Sequence, residues 1–151
     1  MDNQIAPAPI EAHYRALSII NLAMVAGATM FAGITWVLAP RHIYTLNISD
    51  PFTILAIVLI VTLVPIGHVV FQRRIAEARA TSGLEAKVAI YRQGFIFRCA
   101  TLDGPALFTI ICAFLTNVAV YYAFMLIPLI LLIAARPSSL AVFKQQLDIT
   151  D

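Results

Sequence analysis

Charge is scarce in this chain. Only 12% of its 151 residues are Asp, Glu, Lys or Arg, about half the ~25% usual in soluble domains. Against 61% hydrophobic residues and a mean hydropathy of +0.88, there is not enough polar surface to cover a water-soluble fold of this size. A soluble globular enzyme, a nucleic-acid-binding module and a disordered tail are excluded on that ground. A net charge of +2 is too weak to argue for any polyanion. Cysteine is equally sparse. Cys99 and Cys112 match no zinc spacing and cannot form a disulfide framework, so both read as small apolar fillers. The opening MDNQIAPAPIEAHYR has no basic residue before Arg15 and no A-x-A-like site, and does not read as a cleavable signal peptide. A Ser/His/Asp triad, a phosphate loop and a metal-ligand cluster are all missing. His13 and His68 lie toward one end of the chain's apolar stretches and His42 falls in a loop. No enzyme activity, haem, metal or other cofactor is expected.

What the chain does have is long apolar runs. A membrane-crossing helix needs ~20 mostly apolar residues. Residues 16–39 form an uncharged run closed by Pro40, and residues 51–71 a second closed by Gln72, Arg73 and Arg74. Gly104 to Ala135 adds 32 residues without a charge, too many for one ordinary span and too few for two with a turn. The turn-like punctuation there is Leu115-Thr116-Asn117. A turn at that point starts the third span near residue 91, giving spans at 91–115 and 118–135 and placing Arg98 and Asp103 at membrane depth. The reading is an all-α integral membrane four-helix bundle, a single domain. A cytoplasmic helical linker covers 72–90: the second span extends outward through Arg73 to Ala80, and a Ser82-Gly83-Leu84-Glu85 capping box starts a helix that runs on into the third span, the two forming a protruding hairpin; a tail covers 136–151. Arg15, Arg73, Arg74, Arg79, Lys87, Arg92, Arg136 and Lys144 then share one side against Arg41 on the other. The positive-inside rule makes both termini cytoplasmic. The tail's LAVFKQQL, with Leu140, Phe143 and Leu147 at helical spacing, predicts a short helix lying on the membrane surface or docking a partner subunit.

The chain also repeats itself. Shifted by 77 residues, the first span lies over the third: Tyr14 meets Tyr91, Arg15 Arg92, Ile19 Ile96, Ala23 Ala100, Gly27 Gly104 and Phe31 Phe108. With 14 residues fewer in the second outer loop, Pro65 falls on Pro128 and Arg73 on Arg136. This predicts two parallel-repeat helical hairpins related by a pseudo-two-fold along the membrane normal. The shared pairs Ala23/Gly27 and Ala100/Gly104, with Pro105 beside the second, are the places where backbones can pack closely in lipid. The prolines are expected to kink their helices.

Asp103 is the residue best suited to carry chemistry. A carboxylate within a span costs ~2.5–3.5 kcal/mol on insertion scales and is a functional-site hypothesis by default. Pro105, two residues on, leaves the Thr101 carbonyl without its helical partner, and Gly104 uncovers the backbone beside it. Asp103, Thr101 and Arg98 are therefore the candidate ion-binding residues, for a proton or a sodium ion. The alternative is structural. Asp103 could accept a hydrogen bond from Thr101, Thr29 or Thr62, or pair with Arg98 of an adjacent helix or protomer. The function read from this is a non-enzymatic subunit of a homo- or hetero-oligomeric membrane assembly, partnered by lipids and other membrane subunits rather than nucleic acid. The alternative is proton or sodium translocation through Asp103.

The second half resembles a family of small bacterial four-span integral-membrane proteins. The residues that carry the resemblance are Tyr91-Arg92, Leu102-Asp103-Gly104-Pro105-Ala106-Leu107-Phe108, Phe114-Leu115-Thr116-Asn117 and Arg136-Pro137-Ser138. Members typically have a glutamate-glycine-proline run where this chain has Asp103-Gly104-Pro105. The resemblance implies location and fold but no activity. A fainter similarity is to the duplicated proteolipid subunits of rotary ATPase rings, four-span proteins with one embedded carboxylate. This chain lacks their glycine runs, and its acid stands in the first rather than the second helix of its hairpin.

Overall fold

The computed structural model describes residues 10–39, 44–137 and 139–149; Pro40, Arg41, His42 and Ser138, noted above, lie outside them. The architecture is an all-α helical bundle of α1 (Ile10–Leu38), α2 (Pro51–Ala80), α3 (Leu84–Thr116), α4 (Val120–Ala134) and a short α5 (Leu140–Gln146). α1, α2 and α3, with 29, 30 and 33 residues, are each long and apolar enough to cross a membrane, which marks a membrane protein. α4 is apolar but has only 15 residues, a length of ~22 Å.

The helix ends follow from local chemistry. Asp50 caps α2, its side chain accepting from the Phe52 amide at 3.4 Å, with Pro51 in the first-turn position where a missing N–H is harmless. α3 stops where sequence punctuation placed the turn. Asn117 adopts a left-handed φ of 57°, and the Thr116 hydroxyl donates to the Cys112 carbonyl and accepts from the Val118 amide. The capping box at Ser82 does not form. Gly83 caps α3 instead, at φ 93° and without a side-chain bond. Only three residues, 81–83, reverse the chain between α2 and α3. That reversal needs a backbone conformation favourable to glycine, and it takes Ser82 out of the capping position.

α3 is the central helix, packed against α2, α4 and α1. α3 and α4 form a packed hairpin, whereas α1 docks on α3 and α4 and has no comparable interface with α2. The expected first hairpin is thus splayed. The core has three regions along the bundle axis. At the end rich in basic residues, Phe71, Tyr91, Phe95 and Phe143 pack with Leu17 and Leu132. In the middle Ala28, Ala32, Ala106, Ile110, Met125 and Leu129 join α1, α3 and α4. At the far end Ala56, Cys112, Ala113 and Tyr121 join α2, α3 and α4.

The tail helix lies neither on an open surface nor out toward a partner; it docks on its own chain. Phe143 is fully buried, 5.0 Å from the Tyr91 ring and 6.1 Å from that of Tyr14. Ser139 caps the helix by accepting from the Val142 amide. The end of the tail is held from the α2–α3 hairpin. Arg79 donates to the Gln146 carbonyl, Lys87 to the Leu147 carbonyl, and Tyr91 to the Gln146 side chain at 2.7 Å. Lipid and a neighbouring helix offer the same apolar contact to Phe143 and Leu147, whereas the α2–α3 hairpin adds fixed donors for the Gln146 and Leu147 carbonyls.

Candidate functional site

Asp103, Thr101 and Arg98 do not converge. At 100° per residue, Arg98 and Thr101 are ~60° apart on α3, while Asp103 stands ~140–160° from both. Thr101 is buried on the α2 side, its hydroxyl donating to the Arg98 carbonyl at 2.9 Å. Arg98 lays its guanidinium over the Phe71 ring, 5.1 Å from the centroid. Asp103 lies one turn beyond Cys99, the residue that meets Asn21 of α1. Its buried oxygen Oδ1 accepts no hydrogen bond. The anticipated partners are engaged elsewhere: Thr29 donates to the Val25 carbonyl and Thr62 to the Val58 carbonyl. Hydroxyls inside an apolar helix bond most readily to their own backbone one turn back, which leaves neither of these two for the carboxylate.

The predicted close-packing residues divide in the same way. Pro105 is fully buried. Ala23, Gly27, Ala100 and Gly104 all face outward, and a Cβ added at Gly27 or Gly104 would meet nothing within 4 Å. Within the chain these four close no helix–helix contact, because lipid-facing and helix-facing positions are both apolar and small size alone does not say which is which. The close contacts fall at two other glycines, both between α2 and α3. A Cβ at Gly67 would overlap Thr101 Oγ1, and one at Gly94 would come within 2.7 Å of Arg74 Cβ.

Two polar clusters tie the helices together without having been singled out from the sequence. Asn21, buried in α1, donates to the Leu132 carbonyl in the last turn of α4 at 2.9 Å and reaches Cys99 Sγ at 3.8 Å. The signal was there: an asparagine within an apolar span needs a partner. At the far end Tyr121 donates to Asp50 Oδ2 at 3.0 Å and shares a hydrogen bond with Thr53 at 2.8 Å, while Tyr122 donates to Thr35 at 3.1 Å. α4 is thereby fastened to both α2 and α1 where it is shortest. Comparison with family models, curated proteins and solved structures returns no match to this chain.

Proposed function

We propose that this protein is a non-enzymatic membrane subunit that works within a homo- or hetero-oligomeric assembly. Four helices cross the membrane, with both termini on the cytoplasmic side of a bacterial inner membrane. The observation that carries the reading is at Gly27 and Gly104: small residues recur at matched positions of α1 and α3, yet nothing among the described residues closes on them. A lipid-facing surface has no use for glycine, whereas a helix of another subunit does. The orphaned Oδ1 of Asp103, adjacent to Gly104, is a second group that such a neighbour would satisfy. Native mass spectrometry of the protein extracted gently from its membrane tests this. A defined oligomer or hetero-complex is expected, and Gly27→Leu with Gly104→Leu should dissociate it into a folded monomer. A wild-type monomer, or an assembly unaffected by both substitutions, overturns the reading.

The same unpaired oxygen favours a second reading, in which Asp103 takes up and releases a proton or sodium ion. Asp103→Asn separates the two. Loss of ion flux and of carbodiimide labelling with assembly intact supports translocation, whereas collapse of the assembly makes the acid structural.

A further inference from the structure

We propose that the cleft between α2, α3 and α4 at the basic end binds the phosphate headgroup of an anionic lipid, with Arg98 as the anion-binding residue. The cleft has a volume of about 270 Å³ and is lined by Val64, Pro65, His68, Arg98, Leu102 and Leu131. Arg98 is half-buried, and its guanidinium is stacked on Phe71 rather than paired with an acid. Stacking occupies the face of the guanidinium and leaves its N–H edge, with five donors, for an acceptor. A guanidinium inside a span calls for a counter-charge. No acid among the described residues pairs with it: Asp103 lies on another face of α3, and Glu77 is bound to Arg74 at 2.8 Å.

Depth identifies the anion. His68 precedes Arg73 by five residues, Leu131 precedes Arg136 by five, and Arg98 follows Arg92 by six. The three helices therefore place the cleft ~7–9 Å inward of a ring of exposed arginines. An arginine at this depth extends its head toward the interface, where lipid phosphates lie. The cleft walls are apolar: Val64, Leu102 and Leu131 offer contact to the start of an acyl chain, which a free phosphate ion could not use. Arg73, Arg92 and Arg136 would concentrate anionic lipid at the rim, and the cleft would select one molecule from it.

The test uses the full-length protein, delipidated in detergent and mixed with phosphatidylcholine vesicles doped with phosphatidylglycerol, followed by native mass spectrometry. Preferential retention of phosphatidylglycerol is expected. Arg98→Gln should lower that preference about tenfold, the loss of one charge-assisted contact, and Arg98→Lys should restore part of it. Leu131→Trp, which fills the cleft and leaves every charge in place, should abolish it, and it decides the matter if Arg98→Gln does not fold. Wild-type preference in a folded Arg98→Gln or in Leu131→Trp overturns the proposal. Displacement of the lipid by equimolar inorganic phosphate also overturns it, because the site would then be one for a free anion.

Discussion

Truncating Phe143 to alanine should release the C-terminal tail without melting the bundle. α5 has seven residues, too few to persist as a helix by itself in water. Its order depends on docking, and Phe143 is its largest anchor, fully buried with an edge-to-face contact to Tyr91. Removing a buried phenylalanine costs ~3–5 kcal/mol. The remaining attachments are Leu147, the partly buried Leu140 and Ile149, and the side-chain bonds from Tyr14, Arg79, Lys87 and Tyr91, and such bonds contribute only ~1 kcal/mol each in net terms. The loss is comparable to the whole docking energy, so the tail detaches before the helices part. Hydrogen exchange in nanodiscs reads this out by segment. Amides of 140–147 should exchange faster by about a hundredfold to a few thousandfold, while those of α3 and α4 keep their protection. Fluorescence of the single tryptophan, Trp36, 5.2 Å from Tyr122 at the far end, should be unchanged. Unaltered tail protection would refute the docking argument, and simultaneous loss of protection in α3 would refute its local character.

Other perturbations test the helix contacts. Gly67→Ala forces a methyl group onto Thr101 and should destabilise the α2–α3 interface by ~1–3 kcal/mol. In a double-mutant cycle Thr101→Ala should recover part of that, and additive losses would show that the contact is not close. Asn21→Leu, which removes the donor to the Leu132 carbonyl, should cost ~0.6–2 kcal/mol in thermal unfolding in detergent; no loss would mean that water serves that carbonyl equally well. Tyr121→Phe strips the shared partner of Thr53 and Asp50 and should cost ~1–3 kcal/mol, appearing as faster exchange in the first turn of α4. Arg74→Gln breaks the exposed pair with Glu77 but keeps the side-chain stem against Gly94, so stability should change by less than ~1 kcal/mol.

Two of the helix boundaries were legible because they are written in capping and turn chemistry. Pro51 opens α2, the stretch around Thr116 and Asn117 closes α3, and both coincide with changes in charge or polarity. α3 does run unbroken from the polar linker through Arg98 and Asp103, as the excess length of the last apolar stretch requires. The facing of each helix was not legible. In water a helix shows its buried side by alternation of polar and apolar residues. In a bilayer both sides are apolar, so Gly27 and Gly67 look alike on paper, although one is open and the other is pressed against Thr101. Polar residues would have been the better guide. Asn21 marks the buried face of α1, since its side-chain amide finds its partner on another helix; Thr101 gives no such mark, because its hydroxyl is satisfied by its own backbone. The docking of α5 was not readable for a related reason: its apolar stripe fits a lipid surface and the Tyr14–Tyr91 cleft equally well.

The repeat gains meaning once these faces are assigned. The offset of 77 carries the buried face of α1 onto the inward face of α3: Leu17 onto Gly94, Ala28 onto Pro105, Ala32 onto Thr109 and Thr35 onto Cys112, all buried, and Asn21 onto the half-buried Arg98. The helical phase is therefore common to the two halves, but in these pairs the inward residues differ. They have reason to, since α3 meets α2 as well as α1 and α4 and needs Gly94 and Thr101 to let α2 approach. Among the matched pairs, Tyr14 with Tyr91 and Phe31 with Phe108 match at buried or half-buried positions, while Ile19 with Ile96, Ala23 with Ala100 and Gly27 with Gly104 are all exposed. Packing within the chain cannot account for that agreement, because none of these three positions lies in a core. Solvation by lipid cannot account for it either, since fluid acyl chains adapt to large and small side chains alike. In the assembly proposed above, a neighbouring helix that closes on Gly27 would meet the same short side chains when it closes on Gly104.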